Sequence, residues 1–219
     1  MFDIKIIFLY ILLFSILSML DSKIEEHKRN PTHKINSLFI DRWSPRSMTG
    51  EDIDDVDLMS LFEAARWAPS SYNNQPWRFI YAKRNNTESW NKLFDLLYEG
   101  NKVWAKNAAA LVVVVSRKNF EYNKKPSVTH QFDAGAACEN LALEAVDLGI
   151  ATHAMEGFDH QKAKTNLGIP ESYNVMAMIT IGKRGPKENL PPKLQDAEFP
   201  SDRKPLTEIV MEGYFRETN

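Results

Sequence analysis

The chain has 219 residues, of which 43% are hydrophobic and 26% charged, which is the length and composition of one globular domain with a buried core. Its formal net charge of -2 at pH 7 gives no sign of a nucleic-acid partner held by bulk electrostatics. The single cysteine, Cys138, excludes an internal disulfide and a cysteine-rich zinc site.

The N-terminal segment, residues 1–31, differs from the rest of the chain. Residues 6–20 read IIFLYILLFSILSML, a run shorter than the roughly 20 apolar residues that a membrane-spanning helix needs. A weak membrane anchor, a signal peptide, an extra helix packed on the protein and a start codon placed too far upstream all remain open. We expect a cytoplasmic protein, or a membrane-anchored or exported one if this run is a targeting segment. A polar linker follows and ends at Pro31.

Helices and strands alternate in the remaining domain, residues 32–219. Helices are predicted at 32–40, 54–68, 89–98, 133–148 and 159–167, strands at 77–82, 111–116, 151–155 and 175–182, a loop at 183–203, and a short helix or extended arm at 205–212. The β-branched run LVVVVS at 111–116 is typical of a strand buried on both faces. Together these elements predict an α/β or α+β layered fold around a central sheet.

Several single residues mark the predicted helix ends and faces. Asp133 and Asp159 are predicted N-caps, and Gly149 and Gly168 are predicted to end the same two helices. His130 is predicted to be a surface or capping residue. The apolar side of the 54–68 helix is predicted to comprise Val56, Met59, Leu61, Phe62, Ala65 and Trp67.

Several common chemistries are excluded by missing motifs. No GxGxxG follows a strand and no GxxxxGK[ST] occurs, so neither a Rossmann dinucleotide site nor a P-loop is indicated. The five histidines show no HExxH or HxxxH spacing and no GxSxG occurs, so we expect neither a metal site nor a serine nucleophile. Cys138 lies among small residues of a predicted helix, where it is expected to be a buried small hydrophobe.

Three segments carry more polar chemistry than packing requires. Arg42-Trp43-Ser44-Pro45-Arg46 places two guanidinium groups and a hydroxyl in a non-helical turn, which suits a phosphate monoester, although an ordinary surface turn has the same composition. The loop at 68–77, APSSYNNQPW, presents hydroxyls and amides between two prolines and suits a polar heteroaromatic ring, or is simply a well-formed turn. In AMEGFD, at 154–159, Gly157 follows a strand and allows close approach of a ligand.

In this order and spacing the three segments resemble the nitroreductase family of FMN enzymes, and the resemblance runs from about Thr32 to the end of the chain. It implies an α+β fold, a three-layer α/β/α sandwich with a central, mostly antiparallel sheet, assembled as a homodimer with FMN sites at the interface. Two further matches are Asn101, ahead of the 111–116 strand, and Arg203, in RKPL.

The resemblance also implies a role for each matching residue. Arg42, Ser44, Arg46 and Arg203 would bind the FMN phosphate and ribityl chain, with Trp43 contributing backbone. Asn101 would meet the pyrimidine edge of the isoalloxazine. Met155, Glu156 and Gly157 would lie along the ring, with the backbone N–H of Glu156 or Gly157 close to N5. From the other subunit, the flavin would be reached by Pro69, Ser70, Ser71 and Asn73, with Gln75 in the same loop.

The implied activity is ping-pong transfer of a hydride from NADPH or NADH, through flavin N5, to a small acceptor such as a nitroaromatic or quinone, with no catalytic side chain. Alternatives are another flavin reaction on the same fold (dehalogenation, desaturation or flavin consumption) and a non-catalytic flavin-binding protein. The acceptor pocket is expected to draw apolar residues from Phe120, Tyr122 or Phe132. Two departures from the family pattern are Trp43, where Arg or His is usual, and Trp104, where a basic residue is frequent.

Overall fold

The computed structural model describes residues 29–217. These form two compact units: residues 35–198, and residues 29–34 together with 199–217. The apolar run at 6–20 lies outside the described residues, so its role in anchoring or targeting stays a prediction. Within residues 29–217, no helix has both the length and the apolar character needed to cross a membrane.

A four-stranded antiparallel sheet forms the centre of the larger unit, with the strand order β1-β2-β4-β3. The strands are β1 (Trp77–Lys83), β2 (Ala110–Arg117), β3 (Ile150–Met155) and β4 (Tyr173–Lys183). β2 pairs with β1 over its full length and with β4 on its other side, where the register shifts between Val114 and Val115. The predicted antiparallel sheet is confirmed.

Helices flank this sheet. In the larger unit they are α1 (Leu38–Asp41), α2 (Asp55–Arg66), α3 (Thr87–Phe94), α4 (Glu99–Ala105), α5 (His130–Asp147), α6 (His160–Asn166) and α7 (Pro192–Gln195), with 3-10 turns at Ser71–Asn73 and Lys187–Asn189. The smaller unit contains α8 (Leu206–Ile209). The region predicted as loop at 183–203 therefore holds two short helical turns, and the arm predicted at 205–212 contains one turn of helix.

The core lies on both sides of β2. Leu111, Val113 and Val115 point into one hydrophobic cluster, which also contains Trp104 and Phe158. Val112 and Val114 point into a second cluster, built with α2 and α5. Because successive side chains of a strand face opposite ways, the β-branched run supplies both layers at once. The predicted burial of this strand on both faces and the three-layer α+β arrangement are confirmed.

The predicted apolar face of α2 is partly wrong. Leu58, Leu61 and Ala65 are buried, whereas Val56, Met59 and Trp67 are exposed. The buried positions follow a spacing of three and four residues and so share one side of the helix, while 56 and 67 lie on another. The indole of Trp67 instead donates to the carboxylate of Glu63 at 2.8 Å.

Several predicted helix bounds are wrong for tertiary reasons. The helix predicted at 32–40 is only α1, which buries none of its residues. The helix predicted at 89–98 ends at Phe94, and α4 follows it without having been predicted. Between these helices the chain pairs with the end of β3: the N–H of Asp159 donates to Leu96 O at 2.9 Å and that of Tyr98 to Gly157 O at 3.1 Å. These bonds draw the backbone out of a helical path.

The ends of α5 and α6 are mostly as predicted. The Asp159 side chain caps α6 by accepting the N–H of Lys162 at 2.8 Å, and Gly149 and Gly168 have φ of +67° and +62° just beyond the two helices. Asp133 is not the N-cap of α5, because the helix begins three residues earlier, at His130. His130 is also not a surface or capping residue: it is buried, and its Nδ1 lies 3.0 Å from Ser116 Oγ.

Candidate functional site

The arginine turn, residues 42–46, follows α1 in extended backbone, with Arg42 at φ -67° and ψ 118°. Just beyond it, the N–H of Thr49 donates to Lys183 O at 3.0 Å and the N–H of Gly185 to Ser47 O at 2.9 Å. These bonds join the segment to the end of β4. The turn is therefore fixed to the sheet directly after its last residue.

Positive charge gathers around the arginine turn. Nε of Arg42 lies 3.4 Å from Oε1 of Glu139 on α5, while the guanidinium of Arg184 lies 4.9 Å from the centre of the Trp43 ring. The family usually has Arg or His at position 43. Here the position is Trp43, and the cation beside it is the guanidinium of Arg184, which lies over its ring. The turn combines the charge and hydroxyl groups that a phosphate monoester requires.

β3 connects this turn to the other motifs through His153. Nδ1 of His153 lies 3.3 Å from Pro45 O, and its ring lies 4.8 Å from that of the buried Trp104 on α4. Burial, with a smaller contribution from the charge of Arg46, lowers the pKa of His153 below its usual value, whereas hydrogen bonds to Ser44 and Pro45 raise it. His153 and the buried Trp104 thus bridge α4 and the arginine turn.

Asn101 and Gly157 meet at the end of β3. The Asn101 side-chain amide donates to Gly157 O at 3.0 Å, and the same carbonyl accepts the N–H of Tyr98 at 3.1 Å. A Cβ on Gly157 would lie 2.6 Å from Asn101 Nδ2, so only glycine fits this contact. Met155 is buried and Glu156 is exposed beside them. Two predicted flavin-facing segments, 56 residues apart in the chain, are therefore adjacent.

The polar loop, residues 70–75, is held by its own side chains in an unusual backbone. Tyr72, Asn73 and Gln75 have φ of 51°, 51° and 46°, a region that non-glycine residues seldom adopt. The hydroxyl of Ser70 accepts the N–H of Gln75 at 3.0 Å, and the Gln75 side-chain amide donates to Asn73 O and Oδ1, both at 3.1 Å. Pro69 precedes the loop and is exposed. The hydroxyls and amides are thus partly used to maintain the loop itself.

Two contacts anchor the polar loop to the rest of the larger unit. The N–H of Ser71 donates to Asp133 Oδ2 at 3.2 Å, and Asn74 Oδ1 accepts the N–H of Glu121 at 2.9 Å. Asp133 is buried in the first turn of α5. The loop is thus bonded to α5 and to the 118–127 hairpin, whereas the arginine turn, Asn101 and Gly157 converge along β3.

An aromatic cluster, formed by Tyr72, Phe120 and Tyr122, lies at the polar loop. The ring of Tyr72 lies 5.6 Å from that of Phe120 and 5.9 Å from that of Tyr122, and the latter two rings are 5.6 Å apart. Phe132 is exposed on the first turn of α5. Phe120 and Tyr122, both expected near the acceptor, are therefore grouped with a residue of the predicted flavin-covering loop.

Arg203 lies in the smaller unit, where it is exposed and its guanidinium donates to Ser201 O at 3.1 Å and Asp202 O at 3.0 Å. Its predicted contact with the phosphate stays a prediction. Within residues 29–217 there is no group of three His, Cys, Asp or Glu side chains that could hold a metal ion. Burial raises the pKa of Cys138 to about 11, so its thiol is not an activated nucleophile.

The sequence does not indicate several residues that organise these segments, among them His153, Asp133 as a loop anchor, and Glu139 beside Arg42. His153 sits in a strand that was predicted, and its polar side chain among apolar neighbours was the available signal. The contacts of Asp133 and Glu139 join residues far apart in the chain, and no spacing in the sequence indicates them.

Comparison with known proteins decides the family. The family model described as "Nitroreductase family" matches residues 40–183, the span from the arginine turn to the end of β4. The chain belongs to the nitroreductase family. Its fold is also that of a solved structure described as an oxidoreductase containing FMN, with a TM-score of 0.83 and 41% identity over 88% of this chain and 98% of that one.

Two further relatives of this nitroreductase-family protein are more distant. One is a crystal structure from Desulfovibrio desulfuricans, described provisionally as a nitroreductase in complex with FMN, with a TM-score of 0.64 and 26% identity. The match covers 84% of this chain and 100% of that one. A protein of Archaeoglobus fulgidus, named provisionally as an NADH dehydrogenase/NAD(P)H nitroreductase, is 30% identical over 170 residues, which cover 76% of this chain and 93% of that protein.

Proposed function

We propose that this protein is an FMN-dependent oxidoreductase that uses NADPH or NADH to reduce a small acceptor such as a nitroaromatic or a quinone. Family membership and the 41% identical relative described as containing FMN support this proposal. The observation that carries it is the convergence along β3: His153 contacts the arginine turn, and Gly157 contacts Asn101 at the strand's end. A phosphate-binding turn and a planar amide edge thus flank one strand.

The donor set fits FMN at its phosphate end. In the proposal, the guanidinium groups of Arg42 and Arg46 and the hydroxyl of Ser44 bind the phosphate and the ribityl chain, with the backbone of Trp43 beside them. Arginine is suited to this role because its planar, permanently charged head pairs with two phosphate oxygens at once. Glu139, 3.4 Å from Arg42, orients that side chain toward α5.

The ring end fits equally well. Asn101 donates to Gly157 O through Nδ2, so its carbonyl oxygen is left to accept a hydrogen bond from the pyrimidine edge of the isoalloxazine. The backbone of Met155, Glu156 and Gly157 is proposed to lie along the ring, where Gly157 adds no side chain to obstruct it. When bound, FMN would supply the hydride chemistry between a reduced nicotinamide and the acceptor. The chain's own task is to bind and orient.

The polar loop is proposed to act in a homodimer. Its anchors lie on α5 and the 118–127 hairpin rather than along β3, and its Tyr72 and Asn73 are exposed. Such an arrangement suits a loop in which Pro69, Ser70, Ser71 and Asn73, steadied by Gln75, cover the flavin bound by the partner subunit. The aromatic cluster of Tyr72, Phe120 and Tyr122 would then stand beside the acceptor.

The double variant Arg42→Ala, Arg46→Ala tests the phosphate assignment. Each lost charge-assisted hydrogen bond is worth about 1.5–3 kcal/mol, so we expect FMN affinity to fall at least a hundredfold and NADPH oxidation with added quinone to fall with it. Flavin fluorescence titration and steady-state assay measure the two effects. Arg66→Ala is the matched control, since Arg66 is exposed on α2 and pairs with Glu63. Unchanged FMN affinity in the double variant, or a wild-type protein that takes up no FMN, would contradict the proposal.

A further inference from the structure

Residues 190–198, near the end of the larger unit, match no motif of the site and are packed into its core. Leu190 is buried and Leu194 packs beside it in the same hydrophobic cluster. The Gln195 side-chain amide donates to Leu190 O at 2.8 Å, and the N–H of Glu198 donates to Gln195 O at 3.2 Å. The segment is therefore a compact turn that holds Glu198 in a defined position.

The carboxylate of Glu198 is directed at the arginine turn. Its Oε1 accepts the N–H of Arg46 at 2.8 Å and the N–H of Ser47 at 2.8 Å. The residue is only 9% exposed, and within residues 29–217 its Oε2 is buried without a hydrogen-bond partner. A charge removed from water in this way is costly unless it is bonded, so the two N–H groups are what keep the carboxylate in place.

Two consecutive N–H groups that point at one oxygen fix the backbone between them. They form a small anion-binding concavity of the kind that successive amides create in turns. The direction in which the Arg46 side chain leaves the backbone is therefore set by Glu198, a residue 152 positions away.

We propose that Glu198 is a positioning residue for the cofactor phosphate: by holding the N–H groups of Arg46 and Ser47, it maintains the arginine turn in the conformation that binds the phosphate. This rests on the proposed function, since it assumes that the turn binds the FMN phosphate. Glu198 itself touches no cofactor. Its effect is expected to be confined to the phosphate end of the ligand, because the hydrogen bonds that its side chain makes among residues 29–217 both go to the turn.

The test compares FMN with riboflavin, which has the same ring and ribityl chain but no phosphate, by fluorescence titration of Glu198→Ala and Glu198→Gln. In Glu198→Ala we expect FMN affinity to fall at least about tenfold while riboflavin affinity changes less than about twofold. Glu198→Gln retains a carbonyl oxygen that accepts the same N–H groups, so it should stay within about threefold of wild type for both ligands. General loosening of the fold would instead weaken both ligands in parallel.

Ser47→Ala is the matched control, because it removes the bond to Pro186 O and leaves both N–H groups on Glu198. Its FMN-to-riboflavin affinity ratio should be that of wild type, and a drop equal to that of Glu198→Ala would overturn the specific role. Should Glu198→Ala fail to fold, Glu198→Asp replaces it, and an unchanged ratio in either variant overturns the positioning role alone. A wild-type protein that binds FMN no better than riboflavin overturns the proposed function as well.

Discussion

At the residue scale, Gly157 is the glycine at which an added Cβ would come closest to another atom. A Cβ there would lie 2.6 Å from Asn101 Nδ2, a separation that requires the amide or the backbone to move. We expect Gly157→Ala to lower the free energy of unfolding by about 1–3 kcal/mol, the usual cost of overpacking, and to weaken FMN binding by displacing Asn101. Thermal unfolding with and without FMN measures both effects.

Gly100→Ala provides the comparison for that variant. Gly100 lies in α4, one residue before Asn101, and a Cβ there meets nothing within 4 Å. Alanine in a helix is favoured over glycine by about 0.5–1 kcal/mol, so this variant should be as stable as wild type or slightly more so. Equal losses in the two variants would show that the close contact at Gly157 does not limit substitution.

The surroundings of His153 should make the free energy of unfolding depend on pH, and they determine in which direction. Burial, assisted by the charge of Arg46, lowers its pKa in the folded protein below the 6.5 of a free imidazole. Below pH 6.5 the unfolded chain therefore binds a proton that the folded one does not, and stability falls as the pH drops. Urea unfolding between pH 5 and pH 8, converted to free energies, should show this acid loss.

His153→Gln should reduce the acid loss without abolishing it, because burial also lowers the pKa of His130. His33→Gln, at an exposed position in the smaller unit, is the control for the substitution itself. A profile of His153→Gln that coincides with wild type would mean that His153 does not titrate across the transition.

At the scale of elements, α5 holds the polar loop through one buried carboxylate. Asp133 Oδ2 accepts the N–H of Ser71 at 3.2 Å and lies 3.4 Å from Thr129 Oγ1. Asp133→Ala should free the loop and destabilise the protein by about 0.5–1.5 kcal/mol, since the part-buried N–H of Ser71 loses its acceptor. We expect faster hydrogen exchange at Ser71, with Asp133→Asn showing a smaller change because its carbonyl oxygen still accepts. Unaltered exchange at Ser71 in Asp133→Ala would exclude Asp133 as the anchor.

The elements also show how far the sequence predicts this fold. Local sequence patterns are sufficient to predict β2, the Asp159 cap of α6, and the glycines that end α5 and α6, Gly149 and Gly168. α4 was missed because its seven residues include a glycine, and because its position depends on the bonds that Tyr98 and Leu96 make with the end of β3. Local preference cannot indicate a helix whose limits are set by contacts distant in sequence.

At the scale of the whole molecule, the two faces of β2 serve different parts of the candidate site. The Val113 face packs with Trp104, Met155 and Phe158, which carry the Asn101–Gly157 contact. The Val114 face packs with α2 and α5, which carry the polar loop. The two sets of contacts thus depend on separate hydrophobic clusters within one sheet.

Val113→Ala and Val114→Ala should therefore have similar global effects and different local ones. Each removes two buried methyl groups and is expected to cost about 1–3 kcal/mol. Hydrogen exchange should rise around Tyr98 and Asp159 in Val113→Ala, and around Ser71 and α5 in Val114→Ala. The same pattern of increased exchange in both variants would show that the two clusters respond as one.

The sequence predicts which residues belong to the candidate site, but not which residues hold them in place. Residue types and the family resemblance point to the arginine turn, Asn101 and Met155–Gly157, and the structure brings them together along β3. The residues that hold them, among them Glu198 and His153, act through bonds to backbone groups more than 100 positions away. Such bonds require a fold before they can be recognised, since any carboxylate or imidazole could make them.

The left-handed backbone of the polar loop restricts how this protein can be redesigned. Tyr72, Asn73 and Gln75 occupy a region of backbone angles that asparagine, aspartate and glycine enter at little cost and that β-branched side chains resist. A library intended to widen the range of acceptors should vary these three positions without valine, isoleucine or threonine. Phe120 and Tyr122 lie outside the loop and have no positive φ, so their side chains can be varied without this backbone restriction.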